Sequence, residues 1–234
     1  EEILAALLKE PTGRMAGLRV MVTAGPTREA IDPVRYVGNR SSGRMGYALA
    51  EALRRRGAQV VLVSGPCTIQ APPAVDVVRV ESALGMEEAV MERVQMCDIF
   101  VGAAAVADYR PEAPALEKIK KQRDTLTLRL VRNPDILAEV AALSSGPFTV
   151  GFAAETDHVE EHARGKLEAK GLGMIAANLV GSGAGGFESD ENALLVLWRD
   201  GRRSFPLMPK TRLAEALAEL VEERYVAHLA AQGS

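Results

Sequence analysis

Short apolar runs that close on small or polar residues are interleaved with segments of helical length along the first half of the chain, and no other feature restricts the fold as much. The first run is Gly17-Leu18-Arg19-Val20-Met21-Val22-Thr23-Ala24-Gly25. Val60-Val61-Leu62-Val63, Val77-Val78-Arg79-Val80 and Asp98-Ile99-Phe100-Val101-Gly102-Ala103-Ala104-Ala105 follow it. A strand covered on both faces reads as such a continuous run rather than as an alternation. Among these runs, residues 44–55 put Met45, Ala48, Leu49, Ala52 and Leu53 on one helical face and stop at Gly57. Ser82 caps a second helix that runs to about Met96. Parallel strands need a crossover between them, and helices supply it here. The expected fold is therefore α/β, a Rossmann-like doubly wound, mostly parallel sheet.

From about residue 110 the texture changes. Residues 111–124 carry prolines and charges, with Lys118, Lys120 and Lys121 clustered, and predict a mobile loop. Thr125-Leu126-Thr127-Leu128-Arg129-Leu130-Val131 alternates with period two, the pattern of a half-exposed edge strand or arm added to the sheet. Asn133-Pro134-Asp135 reads as N-cap, first-turn proline and acidic first turn of a helix. The expected order then continues with a strand over 148–153, a helix over 159–170 stopped by Gly171, and a strand over 174–177. A glycine-rich loop over 181–186 leads to a strand over 193–198, an Asp200-Gly201 hairpin turn into 203–207, and an amphipathic helix over 211–229.

At 234 residues the chain can bury roughly 70% or more of its unfolded surface, so the core needs no disulfide or metal staple. Cys67 and Cys97 form no Cys-x-x-Cys and no His/Cys cluster, which argues against zinc and fits a reducing, cytoplasmic compartment. With 28 basic against 31 acidic side chains and a net charge of -3, a global field for nucleic acid is excluded, and any anion site must be local. No apolar run approaches the roughly 18 residues that span a bilayer, so no membrane association is expected. The stretch Glu1-Glu2-Ile3-Leu4-Ala5-Ala6-Leu7-Leu8-Lys9 reads as a helix fragment before a Pro11-Thr12-Gly13 break. Residues 1–16 are accordingly expected to be a linker remnant from an upstream domain, and 17–234 the domain proper.

Gly38-Asn39-Arg40-Ser41-Ser42-Gly43-Arg44-Met45-Gly46 matches the spacing of a phosphate loop, but Arg44 stands where Lys belongs and Met45 where a magnesium-binding hydroxyl belongs. What remains is an anion site of hydroxyls and N–H groups at a helix N-terminus, formed by Ser41, Ser42 and Gly43, with a plain capped helix as the alternative. A dinucleotide fingerprint is broken. Gly25-Pro26-Thr27 replaces the glycine-rich turn, Ser64-Gly65-Pro66 lacks the ribose-binding acid, and no Tyr-x-x-x-Lys pair occurs at Tyr36, Tyr47 or Tyr109. An NAD(P)-dependent dehydrogenase is thus a weak alternative. Lys118, Lys120 and Lys121 on a loop and Lys166 and Lys170 one helical turn apart suit a polyphosphate, although charge runs are often only solvated faces. Asp108 follows a strand end, where ligands of open α/β sheets bind. His158 and His162 lack a third metal-type ligand nearby and read as surface residues.

Seven segments, in order, carry a resemblance: Val22-Thr23-Ala24-Gly25-Pro26-Thr27-Arg28-Glu29, Asp32-Pro33-Val34-Arg35, Asn39-Arg40-Ser41-Ser42-Gly43-Arg44-Met45-Gly46, Ala103-Ala104-Ala105-Val106-Ala107-Asp108-Tyr109, Lys118-Ile119-Lys120-Lys121, Asn133-Pro134-Asp135-Ile136 and Val150-Gly151-Phe152-Ala153-Ala154-Glu155-Thr156. Together they resemble bacterial phosphopantothenoylcysteine synthetase, commonly the C-terminal half of a bifunctional coenzyme A enzyme whose N-terminal half is a flavin-dependent decarboxylase that holds FMN.

The resemblance implies a ligase that joins 4'-phosphopantothenate to L-cysteine using CTP and Mg²⁺, through an acyl-cytidylate, with release of pyrophosphate and CMP. It implies that Lys118, Lys166 and Lys170 neutralise the triphosphate, that Ala104 lets backbone approach the nucleotide, and that Asp108 takes a ribose hydroxyl or the cation. Asn133, Pro134, Asp135 and Ile136 would surround the nucleotide, with Phe152 packed against it. Arg35, Ser41, Ser42 and Gly43 would hold the substrate phosphate, and Asn39 would bond the acyl-cytidylate during attack by the amine. The Lys118 loop would close over the intermediate. The family also implies a homodimer toward whose partner residues 125–131 reach. A nonenzymatic nucleotide-sensing module using the same crevice is the alternative of a different class.

Overall fold

The computed structural model describes residues 13–121, 124–155, 157–179 and 189–233, so the 181–186 loop and most of the N-terminal stretch lie outside the described residues. The elements are β1 (Arg19–Ala24), β2 (Arg28–Asp32), β3 (Arg35–Gly38), α1 (Arg44–Arg55), β4 (Gln59–Ser64), β5 (Asp76–Arg79), α2 (Ala83–Met91), a 3-10 turn (Val94–Met96), β6 (Ile99–Gly102), β7 (Tyr109–Pro111), β8 (Leu130–Arg132), α3 (Ile136–Ala141), β9 (Phe148–Glu155), α4 (Val159–Ala169), β10 (Met174–Leu179), β11 (Glu191–Trp198), β12 (Gly201–Pro209) and α5 (Lys210–Gln232).

Among the described residues, eight strands form one sheet in the order β12-β11-β10-β9-β6-β1-β4-β5. The pairs from β5 to β10 are all parallel, and β11 and β12 close the far side as an antiparallel hairpin. This is the doubly wound arrangement expected from the sequence. The chain leaves β1 toward β4 on one side and resumes at β6 on the other, so a crevice opens between β1 and β6 at their carboxyl ends.

Side-chain alternation along the strands assigns the two layers. Val20 and Val22 pack with Leu49 and Leu53 of α1 and Leu213, Leu217 and Val221 of α5 on one face. Met21 and Phe100 meet Met86, Val90, Ile136 and Val140 of α2 and α3 on the other, where α4 adds Ala163 and Leu167 against Ile175 and Leu197. Met15, ahead of β1, is already fully buried in the first layer.

Three local expectations are altered. The stretch between β1 and α1 contains a hairpin, β2–β3, which no apolar periodicity announces. Asp32 makes it: its Oδ1 accepts the N–H groups of Val34 and Arg35, both at 2.9 Å, and its Oδ2 receives Arg35 Nη2 at 2.6 Å. The arm over 125–131 is a strand only from Leu130, paired with β7. The cap of α3 is Asp135, whose Oδ1 accepts Ala138 N–H at 3.1 Å, while the expected cap, Asn133, turns elsewhere.

Helix α1 lies close on the sheet because Gly46 has no side chain. A Cβ there would stand 2.6 Å from Ala24 Cβ and 3.3 Å from Thr23 O. Alanine raises helix propensity by about 1 kcal/mol but must displace β1. Gly46→Ala is therefore expected to destabilise the fold by about 1–3 kcal/mol, read from the urea midpoint at unchanged slope.

Candidate functional site

A cavity of about 410 Å³ occupies the crevice, bounded by Thr23 of β1, Gly102 of β6, Phe152 of β9 and Asn178 of β10. Its central wall is the extended chain after β6. Ala104 N–H donates to Thr23 Oγ1 at 3.2 Å, Ala105 N–H to Gly25 O at 2.9 Å and Ala107 N–H to Thr27 Oγ1 at 2.9 Å. Asn133 Nδ2 donates to Ala107 O at 2.7 Å, and its Oδ1 accepts from Arg110 Nη1 at 3.1 Å. Thr27 is fully buried and Asn133 nearly so. The wall is thus held by side chains that are themselves buried.

Asn39 bridges the two sides of the crevice, its Nδ2 donating to Val106 O at 2.9 Å. Beside it, Ser41, Ser42 and Gly43 line the cavity at the start of α1. Gly43 adopts φ 77°, and Ser41 Oγ accepts its N–H at 3.3 Å. A Cβ on Gly43 would stand 2.5 Å from Cys67 Sγ, so this turn needs glycine for both conformation and space.

On the opposite side the cavity is lined by exposed Asp108, then Asn133, Pro134, Asp135 and Ile136 at the entry to α3, Phe152 and the α4 lysines. The lysines are held by carboxylates: Lys166 Nζ lies 2.7 Å from Glu155 Oε1, and Lys170 Nζ lies 2.7 Å from Asp135 Oδ2. Burial opposes ionisation of Asp135, but Lys170 and the Ala138 N–H outweigh it and hold the carboxyl below the ordinary range.

Of the residues singled out in the sequence, Asn39, Ser41, Ser42, Gly43, Ala104, Asp108, Asn133, Pro134, Asp135, Ile136, Phe152, Lys166 and Lys170 share this one cavity, whereas Arg35 and Lys118 are not among its lining. Arg35 is bound to Asp32 and donates to Ile119 O at 2.9 Å, so it anchors the Lys118 segment to the hairpin. Asp32 also accepts Ile119 N–H at 3.1 Å, and the Arg35 guanidinium holds its carboxyl far below the usual range. Lys118, Lys120 and Lys121 are exposed.

Sequence reasoning missed Arg44, Arg132, Asn178, Asn192 and Lys210, which also line the cavity. Arg44 registered only as a mismatch to a phosphate loop. Lys210 opens a helix far along the chain and had no motif around it.

Among the described residues no group of three His, Cys, Asp or Glu side chains can hold a metal ion by itself. Asp108, one exposed carboxylate in the cavity, fits a magnesium ion whose remaining ligands are water and nucleotide phosphate. No described helix is long and apolar enough to cross a membrane.

The Asp135–Lys170 pair has a definite pH signature. A carboxyl whose folded pKa is depressed stabilises the fold fully above its unfolded value of about 3.9, and that contribution is lost as pH falls through the lower folded value. Lys170→Met should move the Asp135 carboxyl titration upward in ¹³C NMR. An unmoved titration would show that the ammonium does not hold it.

The comparisons with known proteins bear on the family and the fold. The chain is 53% identical over 213 residues to the coenzyme A biosynthesis bifunctional protein CoaBC of Vibrio cholerae, covering 90% of this chain and 53% of that protein, so it spans about half the length of the curated relatives it matches. The crystal structure of the C-terminal domain of a CoaBC protein superposes with a TM-score of 0.77 at 39% identity, covering 91% of this chain and 97% of that one. A Cab2 mutant in complex with phosphopantothenate-cysteine shares the fold, with a TM-score of 0.72 at 16% identity over 97% of this chain and 91% of that one. The family model of the DNA/pantothenate metabolism flavoprotein C-terminal domain matches residues 15–225, and the chain therefore belongs to that family.

Proposed function

We propose that the chain is a phosphopantothenate–cysteine ligase domain of coenzyme A biosynthesis. It would use CTP to activate 4'-phosphopantothenate as an acyl-cytidylate, with release of pyrophosphate, before the cysteine amine displaces CMP. The observation that carries this reading is the continuity of one cavity, with nucleotide-type residues on one side, a helix N-terminus on the other and Asn39 between them. Half-length similarity to the CoaBC proteins supports it.

A carboxylate resists attack by an amine until one oxygen becomes part of a leaving group, so activation and aminolysis must share one site. Lys166 and Lys170 neutralise phosphate oxygens. Because each already pairs with a carboxylate, their approach to a triphosphate is an exchange of partners within a fixed frame. Asp135 and Ile136 present the start of α3, Phe152 covers the base or sugar, and Asp108 takes a ribose hydroxyl or a magnesium ion that accompanies the nucleotide. That ion would offset the charge of the triphosphate. Asn39 orients the acyl group: with its Nδ2 on Val106 O, the amide plane is set before substrate arrives.

Lys118 acts from a segment tethered through Ile119 to the hairpin, which swings over the nucleotide once it is bound. The exposed side chains Tyr36, Leu116, Leu126 and Leu130 suit a homodimer contact in the same region. FMN would belong to a decarboxylase half elsewhere in the native polypeptide.

The direct test mixes the protein with CTP, Mg²⁺, 4'-phosphopantothenate and cysteine and follows pyrophosphate. Release that depends on all but cysteine is expected. Absence of release with either CTP or ATP sinks the ligase reading, and tight NAD(P) binding would favour a dehydrogenase instead. Asn39→Ala should still release pyrophosphate but slow aminolysis by about 100-fold, so that acyl-cytidylate accumulates in quenched reactions. Loss of both steps would remove Asn39 from this role.

A further inference from the structure

On the ligase reading, Lys166 and Lys170 both neutralise a triphosphate, yet what holds each of them differs. We propose, resting on that reading, that Glu155 is the positioning residue of Lys166: it holds the ammonium before nucleotide binds, competes with phosphate oxygens for it, and draws it back so that pyrophosphate leaves.

Glu155 is the last residue of β9 and is paired there with Leu179 of β10. Side chains alternate across a strand, so Glu155 shares the face of Ala153, which packs with Ala163 and Leu167 of α4. It is 8% exposed and is not among the residues lining the cavity. His162 and Lys166 stand one helical turn apart and both address its carboxylate. Lys166 Nζ lies 2.7 Å from Oε1, and His162 Nδ1 lies 3.4 Å from Oε2. The sheet fixes the carboxylate, whereas the long lysine stem lets the ammonium turn. Lys166 is half exposed and lines the cavity, which makes it the movable member of the pair.

Lys170 is held otherwise. The side chain of its partner Asp135 is 53% exposed and itself lines the cavity, so solvent screens the pair and a nucleotide meets both charges at once. Glu155 pulls from a drier place, where an ion pair is screened less. Phosphate must therefore win Lys166 from a competitor that it does not touch. When the ammonium turns to the phosphates, His162 still stands beside the other oxygen, and the buried carboxylate keeps a polar neighbour. A cation held by phosphate alone would retain pyrophosphate, while one with a standing second partner can let it go.

The test measures, by calorimetry with Mg²⁺ present, the affinities of CTP and pyrophosphate for the wild-type chain, Glu155→Gln, Lys166→Met and the double variant. Glu155→Gln should tighten both ligands by about 10-fold, and pyrophosphate should inhibit turnover at a correspondingly lower concentration. In the Lys166→Met background the same change should have no effect, because the carboxylate acts through that ammonium. A residue that merely supported the site would weaken both ligands on removal. Weaker or unchanged binding in Glu155→Gln overturns the assignment, and so does equal tightening with and without Lys166, the mark of a charge acting at a distance. Glu155→Asp, whose carboxylate is withdrawn from Lys166 by one methylene, should tighten both ligands by a smaller factor and serves if Glu155→Gln does not fold. Pyrophosphate release from CTP and 4'-phosphopantothenate is followed in parallel. A wild type that releases none, while Glu155→Gln still tightens CTP through Lys166, sinks the ligase reading and leaves the hold of Glu155 on Lys166 standing. Release by the wild type together with weaker binding in Glu155→Gln overturns the Glu155 assignment alone.

Discussion

The site depends on one close approach: the chain after β6 must run beside the chain leaving β1 with almost nothing between them. Residues 103–107 and 23–27 are joined by backbone bonds at Ala105 and by the hydroxyls of Thr23 and Thr27, and Pro26 and Ala105 form a parallel bridge. Only small side chains permit this. Gly25 sits at φ 77°, and a Cβ on it would stand 2.6 Å from Cys67 Sγ, the same sulfur that crowds Gly43. The two sides of the cavity are thus two faces of one seam, and loosening the seam would separate the groups that line it.

Charge is the second organising term. The near-neutral total of the chain conceals a cavity lined by five cations, Arg44, Arg132, Lys166, Lys170 and Lys210. Pairs such as Lys170–Asp135, half exposed, contribute little to stability, typically about 0–1 kcal/mol. Their effect lies in placement, since an ammonium held by a carboxylate stands in one position before ligand arrives. Glu155 does the same for Lys166 and also faces His162 at 3.4 Å, so the first strand–helix turn of the α4 unit is a small ionic cluster rather than a row of free lysines.

How far the sequence could be read follows the range of the interactions concerned. The buried strands and the helices announce themselves because burial on both faces, or on one stripe, imposes a pattern over many neighbouring residues. The β2–β3 hairpin does not, because one carboxylate, Asp32, makes the turn by bonding two N–H groups and a guanidinium. Asn133 looked like a helix cap because its neighbours fit that role. In the fold its amide reaches Ala107, and Asp135 caps instead, a choice between two adequate residues that distance alone decides. Thr125 to Arg129 alternate as a strand should, yet pairing begins only at Leu130, since a strand needs a neighbour as well as a pattern.

The amino-acid sequence by itself determined the βα alternation, the doubly wound class, the small-residue seam and the family, because each of these is written in residues close together or in motifs whose order is enough. Tertiary structure alone decided that Arg35 serves the hairpin and that Lys210, from the far end of the chain, stands at the cavity. An electrostatic site is defined by which charges come within a few ångströms in a partly dehydrated place. That proximity is created by the sheet order, which brings the start of the last helix beside the start of the first.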